Sequence, residues 1–143
     1  MRNMIRGKPL PQGIEERLAT LGHALEACPD VVFAYLFGSA ATGNLRPLSD
    51  VDVAVYLDEP ADPVDVRLDV LGVVTKHLGT DEVDLVVLNT APTALSGRIL
   101  GTRRVILDRE PFRRHRFESL ALRKFFDFRI VEHRLLSQKY ARG

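Results

Sequence analysis

Three aspartates in this sequence stand where carboxylates could do chemistry. Asp50 and Asp52 lie two residues apart at the start of an alternating apolar run, SDVDVAVYL. Because successive side chains of a strand point to opposite faces, both carboxylates are expected on one face of a strand. Asp84 is the polar residue of a later run, EVDLVVL. If that run pairs in the same sheet, Asp84 can lie next to the first two.

Three converging carboxylates predict a cation site, because they would otherwise repel one another. Ligands that are all oxygen suit Mg²⁺, which keeps several waters and takes substrate phosphates as further ligands. Two such ions about 3.5–4 Å apart can hold the attacking and leaving oxygens of a phosphoryl displacement. The pattern therefore predicts that Asp50, Asp52 and Asp84 bind Mg²⁺, two ions in all, and catalyse nucleotide transfer.

A Gly-Ser pair supplies the second half of this prediction. Gly38 and Ser39 directly follow the apolar run 31–37. A glycine lets the backbone approach a ligand closely, and the Ser39 hydroxyl with nearby N–H groups can hold a triphosphate. Ser49, just before the first aspartate, either braces the loop or reaches a phosphate. Gly38, Ser39 and Ser49 are therefore the predicted nucleotide-binding residues.

These motifs also have plainer explanations. An Asp-x-Asp pair is usually a solvated turn, and Gly-Ser is a common dipeptide. Here, however, Asp50 and Asp52 lie in an apolar run, where two unpaired carboxylates are costly. Gly-Ser followed after ten residues by Asp-x-Asp arises by chance in roughly one of 1000 chains of this length. The plainer explanation of Asp84 is a surface residue on an edge strand.

The elements that would position these residues follow from periodicity and turn residues. The predicted fold is α/β, a small mixed sheet flanked by helices with a long C-terminal helix. We expect a single domain over 1–143, with a core of about 14–108 and a helical extension of about 111–140. The predicted helices are 14–27, 64–78 ended by Gly79, a short helix from Pro92 to about Leu100 stopped by Gly101, and 111–140. The predicted strands are 31–37, 51–57, 82–88 and 104–107, and residues 38–50 form a loop or a short helical turn with a loop. The expected apolar stripes are 64, 68, 71, 74 and 78 in the second helix and Phe117, Leu120, Ala121, Phe125, Phe128, Val131 and Leu135 in the last.

Composition limits the class of protein. A net charge of +1 over 143 residues gives no general argument for nucleic-acid binding. The chain is acidic from 50 to 84 and basic from 98 to 142, which suggests a cation site in one half and a partner or polyanion surface in the other. One cysteine, Cys28, forms no internal disulfide, as expected in a reducing cytoplasm, and we expect it to be a buried, inert thiol. No run approaches the ~20 apolar residues that span a bilayer, and residues 1–13 are expected to be a loose lead-in.

The stretch GSAATGNLRPLSDVDVAVYLDE resembles the signature of the polymerase-β-type nucleotidyltransferases. The short chain is most similar to their minimal members, the MNT group, over about residues 14–108, and KFFDFR looks like the tail of MNT antitoxins. The resemblance implies a polymerase-β-like fold in which Gly38 and Ser39 contact the nucleotide phosphates. It also implies that Asp50 and Asp52 hold both Mg²⁺ ions, and that Asp84 holds the catalytic ion and acts as, or orients, the base.

The same resemblance implies a partner. MNT proteins are commonly encoded beside a HEPN-domain ribonuclease toxin, and the resemblance implies an antitoxin that transfers AMP from the substrate ATP to a tyrosine near the toxin's active site. A phosphate there would repel RNA. Two alternatives stay open: an antitoxin that only masks its toxin, and transfer to a small molecule, as in aminoglycoside nucleotidyltransferases. Whether the chain forms homo- or hetero-oligomers is also open.

Other residues have weaker claims. Tyr35, Tyr56 and Tyr140 are candidates for self-modification, with Tyr140 favoured. Arg109 and His115 have the spacing of a HEPN ribonuclease motif, which we interpret as coincidence because that motif needs a helical domain. The scattered histidines lack zinc-site spacing. The basic residues Arg103, Arg104, Arg113, Arg114 and Arg116 either grip a partner or nucleic acid or form a solvated face.

Overall fold

The computed structural model describes residues 8–59 and 62–141, and its elements confirm the predicted α/β arrangement. The described part begins after residue 7, so most of the lead-in lies outside it, as do two residues of the turn after the second strand. The strands are β1 (Val31–Phe37), β2 (Val51–Leu57), β3 (Val83–Val87) and β4 (Arg104–Asp108). The helices are α1 (Ile14–Ala19), α2 (Leu21–Leu25), α3 (Gly38–Thr42), α4 (Pro63–Leu78), α5 (Thr93–Thr102) and α6 (Pro111–Ala141), with a 3₁₀ turn at Leu88–Thr90.

The four strands form one mixed sheet in the order β3-β2-β1-β4. β1 pairs antiparallel with β2 and with β4, whereas β2 and β3 are parallel. The parallel pair needs a crossover, which α4 supplies. As a result, β2 and β3 begin at the same edge of the sheet, and β1 ends there.

Both faces of the sheet are covered. One cluster of buried residues joins α1, α2 and α4 to alternate positions of β1 and β2, such as Leu36 and Val53. The other joins α5 and the first half of α6 to the opposite positions, such as Tyr35 and Ala54. This two-sided burial explains why β1 is a continuous apolar run rather than an alternating one.

The first predicted helix is wrong in one respect, because it is two short helices. Thr20 separates α1 from α2 with φ −108° and ψ 3°. Its hydroxyl donates to the Arg17 carbonyl at 3.2 Å and contacts the His77 ring at 2.8 Å. Gly22 in α2 lies against the Ile106 carbonyl, where a side chain would clash. The break therefore lets α2 pack closely on β4.

The predicted apolar stripe of α4 is partly wrong. The helix begins after Asp62, whose side chain accepts the N–H groups of Val64 and Asp65, and it ends at Gly79 with φ 71°. Its buried residues are Val70, Val74 and Leu78, whereas Val64 and Leu68 are exposed. The buried residues of α4 are spaced four apart, so the ridge that they form is the one that packs against the sheet.

Two expectations about α5 and α6 also need correction. Gly101 does not stop α5, which continues to Thr102, and β4 follows one residue later. In α6 only the first half of the predicted stripe packs, through Phe117, Ala121 and Phe125. Phe128, Val131 and Leu135 are exposed, as is Leu120. Among the helices of the described residues, none is long and apolar enough to cross a membrane.

Candidate active site

The predicted site residues meet at one edge of the sheet. Phe37, the last residue of β1, pairs with Asp52, and Asp52 pairs with Asp84 across the parallel strands. The Val51 N–H donates to the Glu82 carbonyl at 2.9 Å, which holds the starts of β2 and β3 together. We call this the carboxylate edge, formed by Gly38, Ser39, Asp50, Asp52 and Asp84. The expected neighbour relation between Asp84 and Asp52 is confirmed.

Asp52 is the carboxylate that the fold perturbs most. Its pKa is raised from an ordinary 3.8 to about 6, chiefly by burial and then by the negative charges of Asp84 and Asp50. Its side chain lies on the sheet face that α5 covers, whereas Asp84 is exposed. A partly buried carboxylate with two acidic neighbours favours a cation or a proton.

Gly38 is required at the carboxylate edge for two reasons. Its φ of 62° lies in the left-handed region, and a Cβ built on it would be 2.5 Å from Asp52 Oδ2. The residue directly follows β1 and is the first of α3, so the chain turns directly beside the carboxylates. The Gly38 N–H donates to the Thr102 Oγ1 at 2.9 Å.

The two predicted serines have different surroundings. Ser39 is the second residue of α3 and is half-buried, and its carbonyl accepts the Asn44 N–H at 3.0 Å. Ser49 Oγ accepts the Arg46 N–H at 3.0 Å, and the Ser49 N–H donates to the Arg46 carbonyl at 3.0 Å. These reciprocal bonds show that Ser49 braces the loop before β2, and its phosphate contact stays a prediction.

The donor set of the carboxylate edge fits a hard cation. Asp50, Asp52 and Asp84 offer only oxygen ligands, the type that Mg²⁺ prefers. Within residues 8–59 and 62–141, no three His, Cys, Asp or Glu side chains are grouped closely enough to form an assembled metal site. Mutual repulsion disfavours a close grouping of three carboxylates by themselves. Metal binding therefore stays a prediction, supported by the raised pKa of Asp52.

Sequence reasoning missed Thr102 and a buried ionic cluster. The cluster centres on Glu118 of α6, whose carboxylate accepts from Tyr35 Oη at 2.7 Å and from Arg114 Nη1 at 3.0 Å, and pairs with Arg103 Nε at 3.0 Å. Burial alone would raise the pKa of Glu118, but these partners hold it below its ordinary value. Arg114 and Glu118 are four residues apart on the packed face of α6, which is a signal that could have been used. Thr102 has no such signal, because it is 64 residues from Gly38.

The cluster changes the interpretation of the basic residues and tyrosines. Arg103, Arg113 and Arg114 form ion pairs within the chain, whereas Arg104 and Arg116 are exposed. Tyr35 is fully buried, so it is unsuited to self-modification. The side chains of Tyr56 and Phe33 stack, and the side chain of Tyr140 lies outside the described residues.

Two further expectations concern residues away from the carboxylate edge. The guanidinium of Arg109 donates to the backbone carbonyls of Cys28, Val31 and Glu26 at 2.6–2.8 Å. Arg109 therefore fixes the turn into β1. This structural role supports the interpretation that its HEPN-like spacing to His115 is a coincidence. Cys28 is buried, as expected, and burial raises the pKa of its thiol.

Comparison with solved structures shows what the fold is similar to. One similar chain comes from a toxin–antitoxin complex with AMP-PNP, at 22% identity and a TM-score of 0.68, covering 88% of this chain and 98% of that one. Another comes from the tri-AMPylated HEPN toxin of Shewanella oneidensis in complex with an MNT antitoxin, at 19% identity and a TM-score of 0.65, covering 89% and 98%. A third comes from the toxin–antitoxin MntA–HepT, at 21% identity and a TM-score of 0.62, covering 91% and 99%. At these identities the likeness shows a shared fold.

Comparison at the level of sequence shows the family. No curated protein matches the chain. The family model described as polymerase beta, nucleotidyltransferase matches residues 20–112, from the start of α2 to the start of α6. That range contains every residue of the carboxylate edge and most of the chain. The chain therefore belongs to the polymerase beta nucleotidyltransferase family.

Proposed function

We propose that this chain is a Mg²⁺-dependent adenylyltransferase antitoxin that transfers AMP from ATP to a tyrosine of a HEPN-domain ribonuclease toxin. The observation that carries the proposal is Asp52, half-buried beside Asp50 and Asp84, with its pKa raised to about 6 next to the Gly38 turn. Such a site suits a cation and the phosphates that accompany it.

Each residue of the carboxylate edge has a role in this proposal. Asp50, Asp52 and Asp84 hold Mg²⁺, which when bound neutralises charge on the triphosphate and favours ionisation of the attacking hydroxyl. Gly38 lets the chain turn without obstructing Asp52, and Ser39 donates its hydroxyl to a phosphate oxygen. Ser49 keeps the loop before β2 in place, and its second hydrogen-bonding position can face the nucleotide.

In the proposed transfer, one P–O bond forms and another breaks. The tyrosine oxygen of the acceptor attacks the α-phosphorus of ATP and forms a new P–O bond. The bond from the α-phosphorus to the bridging oxygen breaks, and pyrophosphate leaves. The phenolic proton passes to Asp84, the most exposed of the three carboxylates and so the one open to an incoming protein.

The choice of acceptor is supported by the similar structures. One of them contains a tri-AMPylated HEPN toxin with an MNT antitoxin, and another contains AMP-PNP. Their chains are covered almost completely by this one, at 98% each. The exposed second half of α6 is a surface on which a protein acceptor could be held. Added phosphate on the acceptor would oppose RNA binding by like charge.

The proposal is tested by incubating the purified protein with ATP labelled on the α-phosphate, Mg²⁺ and the HEPN protein encoded beside it. We expect label on a tyrosine of the acceptor, located by mass spectrometry, and loss of its ribonuclease activity. Asp50→Asn/Asp52→Asn should reduce labelling by at least about 10³-fold, the scale of losing an essential charge-stabilising group. Asp69→Asn, an exposed change in α4 away from the carboxylate edge and from the second half of α6, is the matched control and should label normally.

A second candidate function is neutralisation by binding alone, which the exposed apolar residues of α6 favour. The same double variant separates the two functions. If it neutralises the toxin fully in cells while it transfers no AMP, masking is the function and our proposal fails. An acceptor that stays unlabelled with the wild-type protein would also contradict it.

A further inference from the structure

Thr102 brings a hydroxyl to the carboxylate edge from a distant part of the chain. It is the last residue of α5, and its Oγ1 accepts the Gly38 N–H at 2.9 Å. Gly38 in turn lies against Asp52, since a Cβ at this glycine would meet the Asp52 carboxylate. Thr102 is exposed, so its hydroxyl stands at the surface of the site rather than inside the core.

The hydroxyl retains hydrogen-bonding capacity. Accepting one N–H leaves its own hydrogen to donate. An O–H that donates to a phosphate oxygen makes a charge-assisted bond, stronger than a bond between neutral groups. The hydroxyl hydrogen can rotate about the Cβ–Oγ1 bond, so it can turn toward a phosphate that binds beside Gly38.

The position of Thr102 is fixed by the ionic cluster behind it. The neighbouring Arg103 donates to the Leu100 carbonyl at 2.6 Å and pairs with Glu118 at 3.0 Å. Glu118 is 5% exposed and also accepts from Tyr35. The end of α5 is therefore held by buried charges on α6, which is the arrangement expected of a preorganised binding group.

We propose that Thr102 is a phosphate-binding residue that contacts the triphosphate of ATP together with Ser39. This inference rests on the proposed function, because it assumes that the carboxylate edge binds a nucleotide. It assigns the end of α5 to the site, a segment that neither the Gly-Ser pair nor the aspartates mark.

The test compares Thr102→Val, which keeps the shape and removes the hydroxyl, with Thr102→Ser, which keeps the hydroxyl. Thr90→Val, at an exposed threonine of the 3₁₀ turn, is the matched control. Affinity for a non-hydrolysable ATP analogue with Mg²⁺ is measured by calorimetry. We expect about tenfold weaker binding by Thr102→Val, the effect of losing one bond to a charged group, and values close to wild type for the other two variants.

Steady-state transfer separates phosphate binding from a merely structural role. If Thr102 binds phosphate, the KM for ATP should rise about tenfold in Thr102→Val while kcat at saturating ATP changes little. Serine should restore the KM. A fall in kcat with unchanged KM and unchanged analogue affinity would mean that Thr102 only orients Gly38, and the inference would be wrong.

The inference and the proposed function fail in different ways. Wild-type protein that binds the analogue, with equal affinity in Thr102→Val, overturns the inference alone. Wild-type protein that binds the analogue and labels no acceptor contradicts the acceptor proposal and leaves Thr102 to be judged by the affinities. Wild-type protein that binds no nucleotide overturns both.

Discussion

At the scale of the residue, the ionised carboxylate of Asp52 destabilises the folded chain when no cation is bound beside it. Burial and the charges of Asp84 and Asp50 favour its protonated form, which is why its pKa is raised to about 6. A group with a raised folded pKa contributes stability below its unfolded pKa, and that contribution is lost as the pH rises from about 4 to about 6. At neutral pH the free energy of unfolding is therefore lower than it would be without this charge.

This leads to a prediction for Asp52→Asn. In a chelating buffer at pH 7.5 we expect its free energy of unfolding to exceed that of the wild type by about 1–2 kcal/mol, after discounting the shift for partial exposure. Transfer of AMP should be abolished in the same variant. Urea denaturation at pH 4 and pH 7.5 measures the effect, which should vanish at pH 4. The control Asp69→Asn should show no gain, and an Asp52→Asn variant less stable than wild type at pH 7.5 would contradict the prediction.

Gly38 and Gly43 form a natural pair for a second prediction. Both have positive φ, 62° and 75°, but only Gly38 has a neighbour, Asp52, within reach of an added Cβ. Alanine at either position has the backbone cost of the left-handed region, about 1–2 kcal/mol. We expect Gly43→Ala to show that cost alone, measured by urea denaturation, and to bind the ATP analogue normally.

Gly38→Ala should add a second effect. The methyl group displaces the Asp52 carboxylate, so we expect a larger loss of unfolding free energy and at least about tenfold weaker binding of the analogue, the scale of losing one bond to a charged group. Equal effects of the two substitutions would show that backbone strain, and not the contact with Asp52, makes Gly38 necessary.

At the scale of the element, the buried cluster around Glu118 fixes α6 and the end of α5 to the sheet. Glu118 bonds to Tyr35 of β1 and to Arg114 of its own helix, and it pairs with Arg103. Arg114 Nε also bonds to Asp108 of β4 at 2.8 Å. Removing the central charge leaves Arg103 without its carboxylate partner and leaves the largely buried Arg114 with Asp108 alone, which is unfavourable.

The prediction is that Glu118→Gln lowers the free energy of unfolding by about 2–3 kcal/mol at pH 7, whereas Glu132→Gln on the exposed part of α6 changes it by less than about 0.5 kcal/mol. The folded pKa of Glu118 lies below its ordinary 4.5. Its contribution is therefore present above that value and is lost as the pH falls through the folded pKa. Urea denaturation between pH 3 and pH 7 should show that the free energies of unfolding of the wild type and Glu118→Gln converge as the pH falls. A constant difference over that range would be inconsistent with a charge effect.

At the scale of the whole molecule, α6 divides into two halves with different surroundings. Its first half packs on α5, where Gly97 lies against the Phe125 ring. From Phe126 onward the described side chains are exposed, including Ile130 at 51% and Leu135 at 62%. The second half therefore adds little to the core and leaves apolar side chains exposed at the surface, as is typical of an interaction site.

A chain that ends at Phe126 should keep its free energy of unfolding within about 1 kcal/mol of the full chain, because the deletion removes no described buried side chain. It should also bind the ATP analogue with the same affinity. Its affinity for the proposed HEPN acceptor, measured by calorimetry, should fall by at least about tenfold if these apolar side chains form the contact. Phe128→Ser/Leu135→Ser in the full chain is the control for length and should show the same loss. If the truncated chain and the double-serine variant both keep the wild-type affinity for the acceptor, the acceptor binds elsewhere on the protein.

The sequence by itself determined the strands and the residues of the carboxylate edge. Alternation in VDVAVYL fixed which face carries Asp52, and the Gly-Ser pair after a buried run identified the turn at Gly38. These features are local, because the alternation of side chains along a strand and the turn at a glycine can be recognised from neighbouring residues alone. The family resemblance drew on the same residues.

Only the tertiary structure decided the rest. The register that sets Asp52 beside Asp84 depends on which strands pair, and the bond from Gly38 to Thr102 joins residues 64 positions apart. The buried side of α4 and the exposed half of α6 were predicted incorrectly because periodicity gives a helix's apolar stripe but not the direction in which it crosses the sheet. Burial and long-range contact are properties of the packed chain, and they raise the pKa of Asp52 and bring a hydroxyl from the end of α5 to the carboxylate edge.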